Sequence, residues 1–109
     1  METSDDHGAR RVALEAKVVG SAETDVELRA GVMKCASNGP AIAMPYDDLA
    51  RGIGEAAHRV TDVQVANVRA ALGTDKGAFE VVLAASIGAG LSRWDAASRA
   101  IKGADDAAR

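Results

Sequence analysis

The sequence predicts an all-α fold, a small helical bundle of about five helices that ends on a long C-terminal one. Three observations predict it. Among 109 residues there are 24 alanines, the strongest helix formers, and only 3% aromatics, a poor supply for a sheet sandwich. Apolar residues recur three and four apart over two long stretches, 46–60 and 79–101. Capping patterns, glycines and prolines fall between the periodic stretches, where helices start and stop.

Residues 1–8 are polar and acidic and are expected to form a flexible N-terminus, with a single helical domain over 9–102. "ARRVALEAKVVG" opens the domain as a short helix ended by Gly20, with a poorly periodic apolar face of Val12, Leu14, Ala16 and Val19. "TDVE" at Thr24 to Glu27 has the capping-box form, in which hydroxyl and carboxylate satisfy each other's orphan amides. A second helix follows to about Ala36, with Leu28, Val32 and Cys35 on one face.

"SNGPAIAMP" must be a connection, and Pro45 suits the first turn of a third helix. There Tyr46, Leu49, Ala50, Ile53, Ala56, Ala57 and Val60 form one buried stripe, leaving Asp47, Asp48, Arg51 and Glu55 to water. A second capping box, Thr61 with Gln64, starts a fourth helix over 62–72 on Val65, Val68 and Leu72, and Val60 can staple onto Val65. Gly73 stands where a left-handed C-cap belongs, and Thr74 can cap the next helix at once.

That last helix is expected from Asp75 to about Lys102, its apolar side running Phe79, Val82, Leu83, Ser86, Ile87, Gly90, Leu91, Trp94, Ala97, Ser98 and Ile101. Residues 103–109 lack periodicity and are expected as a flexible tail. The "TDV" at Thr24 recurs at Thr61 without matching flanks, so it reads as two caps and not as a duplication.

Composition narrows the function. A chain of this size buries about 65% of its unfolded surface, and alanine adds little burial per residue, so extra burial would come from a partner or a second copy. A net charge of -3 with interspersed signs and three aromatics argues against nucleic acid. No window is apolar enough for a membrane span or a signal peptide, so the expected compartment is the cytoplasm and no membrane partner is expected. The single cysteine, Cys35, excludes an internal disulfide and any C-x-x-C pair.

"AASIGAGLSRW", at Ala84 to Trp94, raises a phosphate-cradle question. A dinucleotide fingerprint needs G-x-G-x-x-G after a strand, whereas here Arg93 stands three after Gly90 and the helical period runs through both glycines. Ala84 with Gly88, Ala85 with Ala89 and Ser86 with Gly90 instead make small-x-x-x-small ridges for close helix packing. Ala84, Gly88, Gly90 and Trp94 are therefore the expected helix-packing or interface residues, and no cofactor is expected.

Cys35 reads as a buried structural thiol, since no second thiol or histidine stands at a redox spacing. Glu55 and His58 form E-x-x-H, half of a di-iron pattern that needs a second pair this chain does not have, so no metal is expected. His58, Glu55 and Cys35 are the weak catalytic candidates. Asp47 and Asp48 fit the first turn of a helix for dipole reasons alone.

The segment "AHRVTDVQVANVRAALGTDKGAFEVVLAASIGAGLSRWDAASRAI" resembles the carboxymuconolactone decarboxylase and alkylhydroperoxidase D-like superfamily. The likeness lies in a V-T-D cap, a helix ending in glycine, a short acidic link and a long alanine-rich helix. It implies an all-helical protein that assembles through its long helices. Peroxidase-type members use a C-x-x-C pair with a glutamate and a histidine, so thiol peroxidase activity is not expected of a chain with one cysteine. The expectation is a non-redox homo-oligomer with a structural or small-ligand-binding role. An acid/base enzyme on a small organic acid or lactone, and a helical adaptor, are the alternatives.

Overall fold

The structure, a computed structural model, describes residues 2–20 and 22–107. Residues 108–109 of the expected tail, and the side chains of 2–7, 18–19 and 57, lie outside the described residues, among them those of Val19 and Ala57 from the expected apolar faces. Five helices follow one another: α1 (Glu2–Val19), α2 (Val26–Ala36), α3 (Tyr46–Ala56), α4 (Asp62–Leu72) and α5 (Asp75–Ala107), with a 3-10 turn at Ala57–Arg59 after α3. No strand occurs among the described residues.

Three helix ends differ from the sequence expectation, one being that of α3, which is expected to run to Val60 and gives way after Ala56 to the 3-10 turn. α1 starts at Glu2 and runs through Gly8, and α5 continues past Lys102 through Gly103 to Ala107. A single glycine costs about 1 kcal/mol of helix propensity, which lowers stability locally without ending a helix.

The two expected capping boxes part company. Thr61 accepts from the Gln64 amide at 3.3 Å while the Gln64 side chain accepts from the Thr61 amide at 2.9 Å, the full reciprocal box. Thr24 does no such thing. α2 is capped by Asp25, which accepts from the Glu27 amide at 3.3 Å, and Thr24 turns its hydroxyl and amide to Glu80 on α5. Gly73 takes φ +83° as the left-handed cap of α4, and Thr74 accepts from the Gly77 amide at 3.1 Å to start α5.

α2 is the centre of the bundle, with α5, α3 and α1 packed around it. The core comprises Val32, Cys35 and Ala36 of α2, Leu49, Ala50 and Ile53 of α3, Val68 of α4, and Ala78, Val81, Ala84, Ala85 and Ala89 of α5. Half of these are alanines and none is aromatic, so the core is built on short interhelical distance and not on bulk. Glycines set that distance. A Cβ on Gly54 of α3 would come within 3.0 Å of the Ala36 carbonyl carbon and 3.2 Å of its Cα, and Gly88 of α5 meets Met33 of α2 in the same way. α2 is thus clamped, backbone against backbone, from two sides.

This packing overturns much of the expected apolar side of α5, although Val82 and Ile87 of that side do pack against the core. The small residues Gly77, Ala78, Ala84, Ala85, Gly88 and Ala89, with Val81, face inward, while the large apolar stripe faces out: Phe79 is 65% exposed, Leu83 45%, Trp94 48% and Ile101 65%. A bulky residue on the inner face would hold α2 away from the distance the glycines set. The expected apolar face of α1 is also outside, with Val12 and Leu14 exposed. α1 is held instead through Arg11, which bonds Asp95 of α5 and, at 3.0 Å, Glu15.

Candidate functional site

Cys35 stands at the end of α2 and is buried at the core's edge. Its thiol donates to Asp47 Oδ1 at 3.4 Å, and the same carboxylate accepts from the Ile42 amide at 3.1 Å and from Arg51 Nε at 3.1 and 3.2 Å. Burial pushes the thiol pKa up, and the hydrogen bond to and charge of Asp47 push it further, with Arg51 opposing weakly. Asp47 moves the other way. The Ile42 amide, then the Cys35 and Arg51 bonds, hold it below the usual carboxylate range against a partial desolvation. The pair stabilises a neutral thiol beside an anion, the reverse of what an activated cysteine requires.

Beside this pair lies a cleft of about 130 Å³ lined by Cys35, Asn38, Arg51, Gly54, Glu55 and Ser92. Ser92 also borders a second cleft of about 400 Å³, open between α1, α2 and α5, whose lining includes Arg11, Glu15, Lys34, Gly88 and Asp95. Arg93 reaches back from α5 to the carbonyls of Gly54 at 3.0 Å and Ile53 at 3.4 Å, a cationic cap on the end of α3.

Of the three catalytic candidates, Cys35 and Glu55 share the small cleft, and His58 stands apart from it. Glu55 lines the small cleft from the last turn of α3, but His58 is exposed in the 3-10 turn beyond it and lines neither cleft. No group of three or more His, Cys, Asp and Glu side chains is placed to hold a metal among the described residues. Of the expected packing residues, Ala84 and Gly88 face α2. Gly90 is exposed and a Cβ there would meet nothing within 4 Å, so a larger side chain at 90 does not overpack this chain. Trp94 is half-exposed and outside the core.

Two polar constellations escape the sequence reading. Asp47, read as a solvated first-turn acid, has a side chain only 14% exposed and joins α2, the connection and α3. Arg29 is 3% exposed and donates to the carbonyls of Thr24 and Gly20, to the Thr24 hydroxyl at 2.9 Å, and lies 3.9 Å from Glu80. Glu80 in turn accepts from the Thr24 hydroxyl at 2.6 Å and from the Thr24 and Glu23 amides at 2.8 and 3.0 Å. This set fastens the α1–α2 connection onto α5.

No family model, no curated protein and no solved structure matches the chain. No helix among the described residues is long and apolar enough to cross a membrane.

Proposed function

We propose that the chain is a non-redox, homo-oligomeric helical protein of structural role, a member of the carboxymuconolactone decarboxylase and alkylhydroperoxidase D-like superfamily without the thiol pair, working in the cytoplasm. One observation carries the self-association. The large apolar residues Phe79, Leu83, Trp94 and Ile101 lie on the outer side of the longest helix, while its inner side is alanine and glycine around Val81. Large apolar residues left exposed on one face of a helix mark an interaction surface. The superfamily reading is supported by the all-helical architecture and the long last helix that the resemblance implies.

The two clefts favour assembly over ligand chemistry. Small-molecule sites are mostly apolar cavities of about 300 Å³ or more with a few convergent polar groups. Here the smaller cleft is about 130 Å³ and the larger is lined mainly by charged and polar side chains. A second reading, acid/base chemistry on a small organic acid, draws on Glu55 and Arg51 sharing the smaller cleft. Native mass spectrometry over a wide concentration range tests the first reading. It is expected to give multiples of 11.2 kDa, and a monomer at every concentration overturns it.

A further inference from the structure

The outer positions of α5 recur at steps of four and three: Phe79, Leu83, Ser86, Gly90, Trp94, Ala97, Ile101. All seven are exposed, and they share one face of the helix, turned away from the buried set around Val81, Ala85 and Gly88. The stripe spans about 33 Å at 1.5 Å per residue. Beyond Asp95 every described residue of α5 is exposed, so the last three turns extend past the body of the bundle. Ala97 and Ile101, in those turns, belong neither to the core nor to the apolar residues packed against it.

The order of sizes along the stripe is self-complementary when a second copy runs antiparallel about Gly90. Phe79 then faces Ile101, Leu83 faces the small Ala97, Trp94 faces the small Ser86, and Gly90 faces itself. In the two layers on either side of Gly90 a large residue meets a small one, the centre has no side chain, and only the end layers pair two large residues, Phe79 with Ile101, so close axial approach is permitted at the middle. Charge agrees with size. Lys76 and Asp105 lie on the same flank of the stripe at nearly mirrored distances from Gly90, so each Lys76 meets the other copy's Asp105. Glu80 lies level with Ala100 and Arg93 with Ile87, while Asp75, level with Asp105, is on the opposite flank and is bonded to Arg69 of its own chain. A parallel arrangement fails on size, since it sets every residue level with its own copy, Phe79 with Phe79 and Trp94 with Trp94.

We propose that two copies of this chain pair through the outer faces of α5, antiparallel, with Gly90 at the two-fold axis. The proposal rests on the self-association reading above and adds the face, the direction and the register. Such an isologous contact closes on itself and leaves a dimer.

The test places opposite charges at the two ends of the stripe. Phe79→Glu and Ile101→Lys, both at exposed positions, are each expected to shift the native mass from twice the chain to one chain at low micromolar concentration, with helicity by circular dichroism unchanged. Mixed, they are expected to recover a heterodimer, because the introduced carboxylate then meets the introduced ammonium at one end while Phe79 and Ile101 meet at the other. In a Cys35→Ala background, Gly90→Cys is expected to oxidise to a covalent dimer at least about tenfold faster than Leu83→Cys, while Leu83→Cys and Ala97→Cys link to each other when mixed. A dimer that survives both charge variants, or links Leu83→Cys to itself as fast as Gly90→Cys, overturns the face or the register and leaves self-association standing. A wild-type monomer at every concentration overturns both.

Discussion

Gly88 on α5 lies against the main chain of Met33 on α2, where a Cβ would come within 2.9 Å of the Met33 carbonyl carbon and 3.1 Å of its Cα. The obstacle is backbone, so no side-chain rotation relieves it. Gly88→Ala is expected to destabilise the fold by about 1 to 3 kcal/mol through overpacking. Gly103→Ala, on the same helix with nothing within 4 Å, is expected to gain about 1 kcal/mol of helix propensity. Urea unfolding of the two variants reads the contrast, and a Gly88→Ala protein as stable as its parent would mean that α2 and α5 are not in backbone contact.

Glu80 supplies the acid limb of the stability profile. Burial raises its pKa, but the bonds from the Thr24 hydroxyl and the Thr24 and Glu23 amides, with the charge of Arg29, outweigh this and bring it from 4.5 to about 2. The unfolded chain therefore binds this proton at higher pH than the folded one. The contribution is complete above about pH 4.5 and is lost as pH falls toward about 2. Glu80→Gln removes the carboxylate charge beside the buried Arg29 and is expected to cost about 3 kcal/mol at pH 7. The deficit should shrink on acidification from pH 5 to pH 2. Parallel pH profiles for the two proteins would assign the acid sensitivity elsewhere.

These contacts separate what is legible in sequence from what is not. The Thr61–Gln64 box and the Gly73–Thr74 junction could be read because every partner lies within four residues. Thr24 carries the same local pattern, but its partner is Glu80, 56 residues on, and a buried carboxylate that needs donors outcompetes a local cap. α5 presents two apolar stripes of the right period, and hydrophobicity alone selects the bulky one as the core. The structure selects the small one, because contact distance and not residue size decides which face α2 can reach. Asp47 reads as a dipole acid, since Cys35 and Ile42 approach it from other elements. Arg29 had no sequence signal beyond a charge on an apolar helix face.

Cys35 is held as a thiol. Buried, and donating to Asp47 at 3.4 Å, it is expected to resist a maleimide at pH 8 in the folded protein and to react at once on unfolding. Asp47→Asn keeps an oxygen that can accept from Cys35 and Ile42 but removes the charge that opposes a thiolate. The thiol pKa should then fall and labelling of the folded variant should quicken several-fold. Equal rates for both proteins, at matched global stability, would mean that burial alone sets the reactivity and the carboxylate has no part in it.

α1 is fastened to α5 by a polar contact, and its stability should follow the rules for exposed charge. Arg11 bonds Asp95, both side chains are 38% exposed, and Val12 and Leu14 face outward, so little apolar burial backs the ion pair. The Arg11 bond and charge, with Arg99, hold Asp95 below the usual carboxylate range, so its contribution persists at neutral pH and is lost only as pH falls through that lowered value. Asp95→Asn is expected to speed amide hydrogen exchange along residues 8–17 while exchange in α2 and in the inner half of α5 stays unchanged. Raising salt from 0.05 M to 0.5 M should act in the same direction on the parent protein, since the Debye length falls from about 14 Å to about 4 Å, and should have little further effect on the variant. Slow exchange in α1 that is indifferent both to the substitution and to salt would show that helix packing, and not the Arg11–Asp95 pair, holds α1 in place.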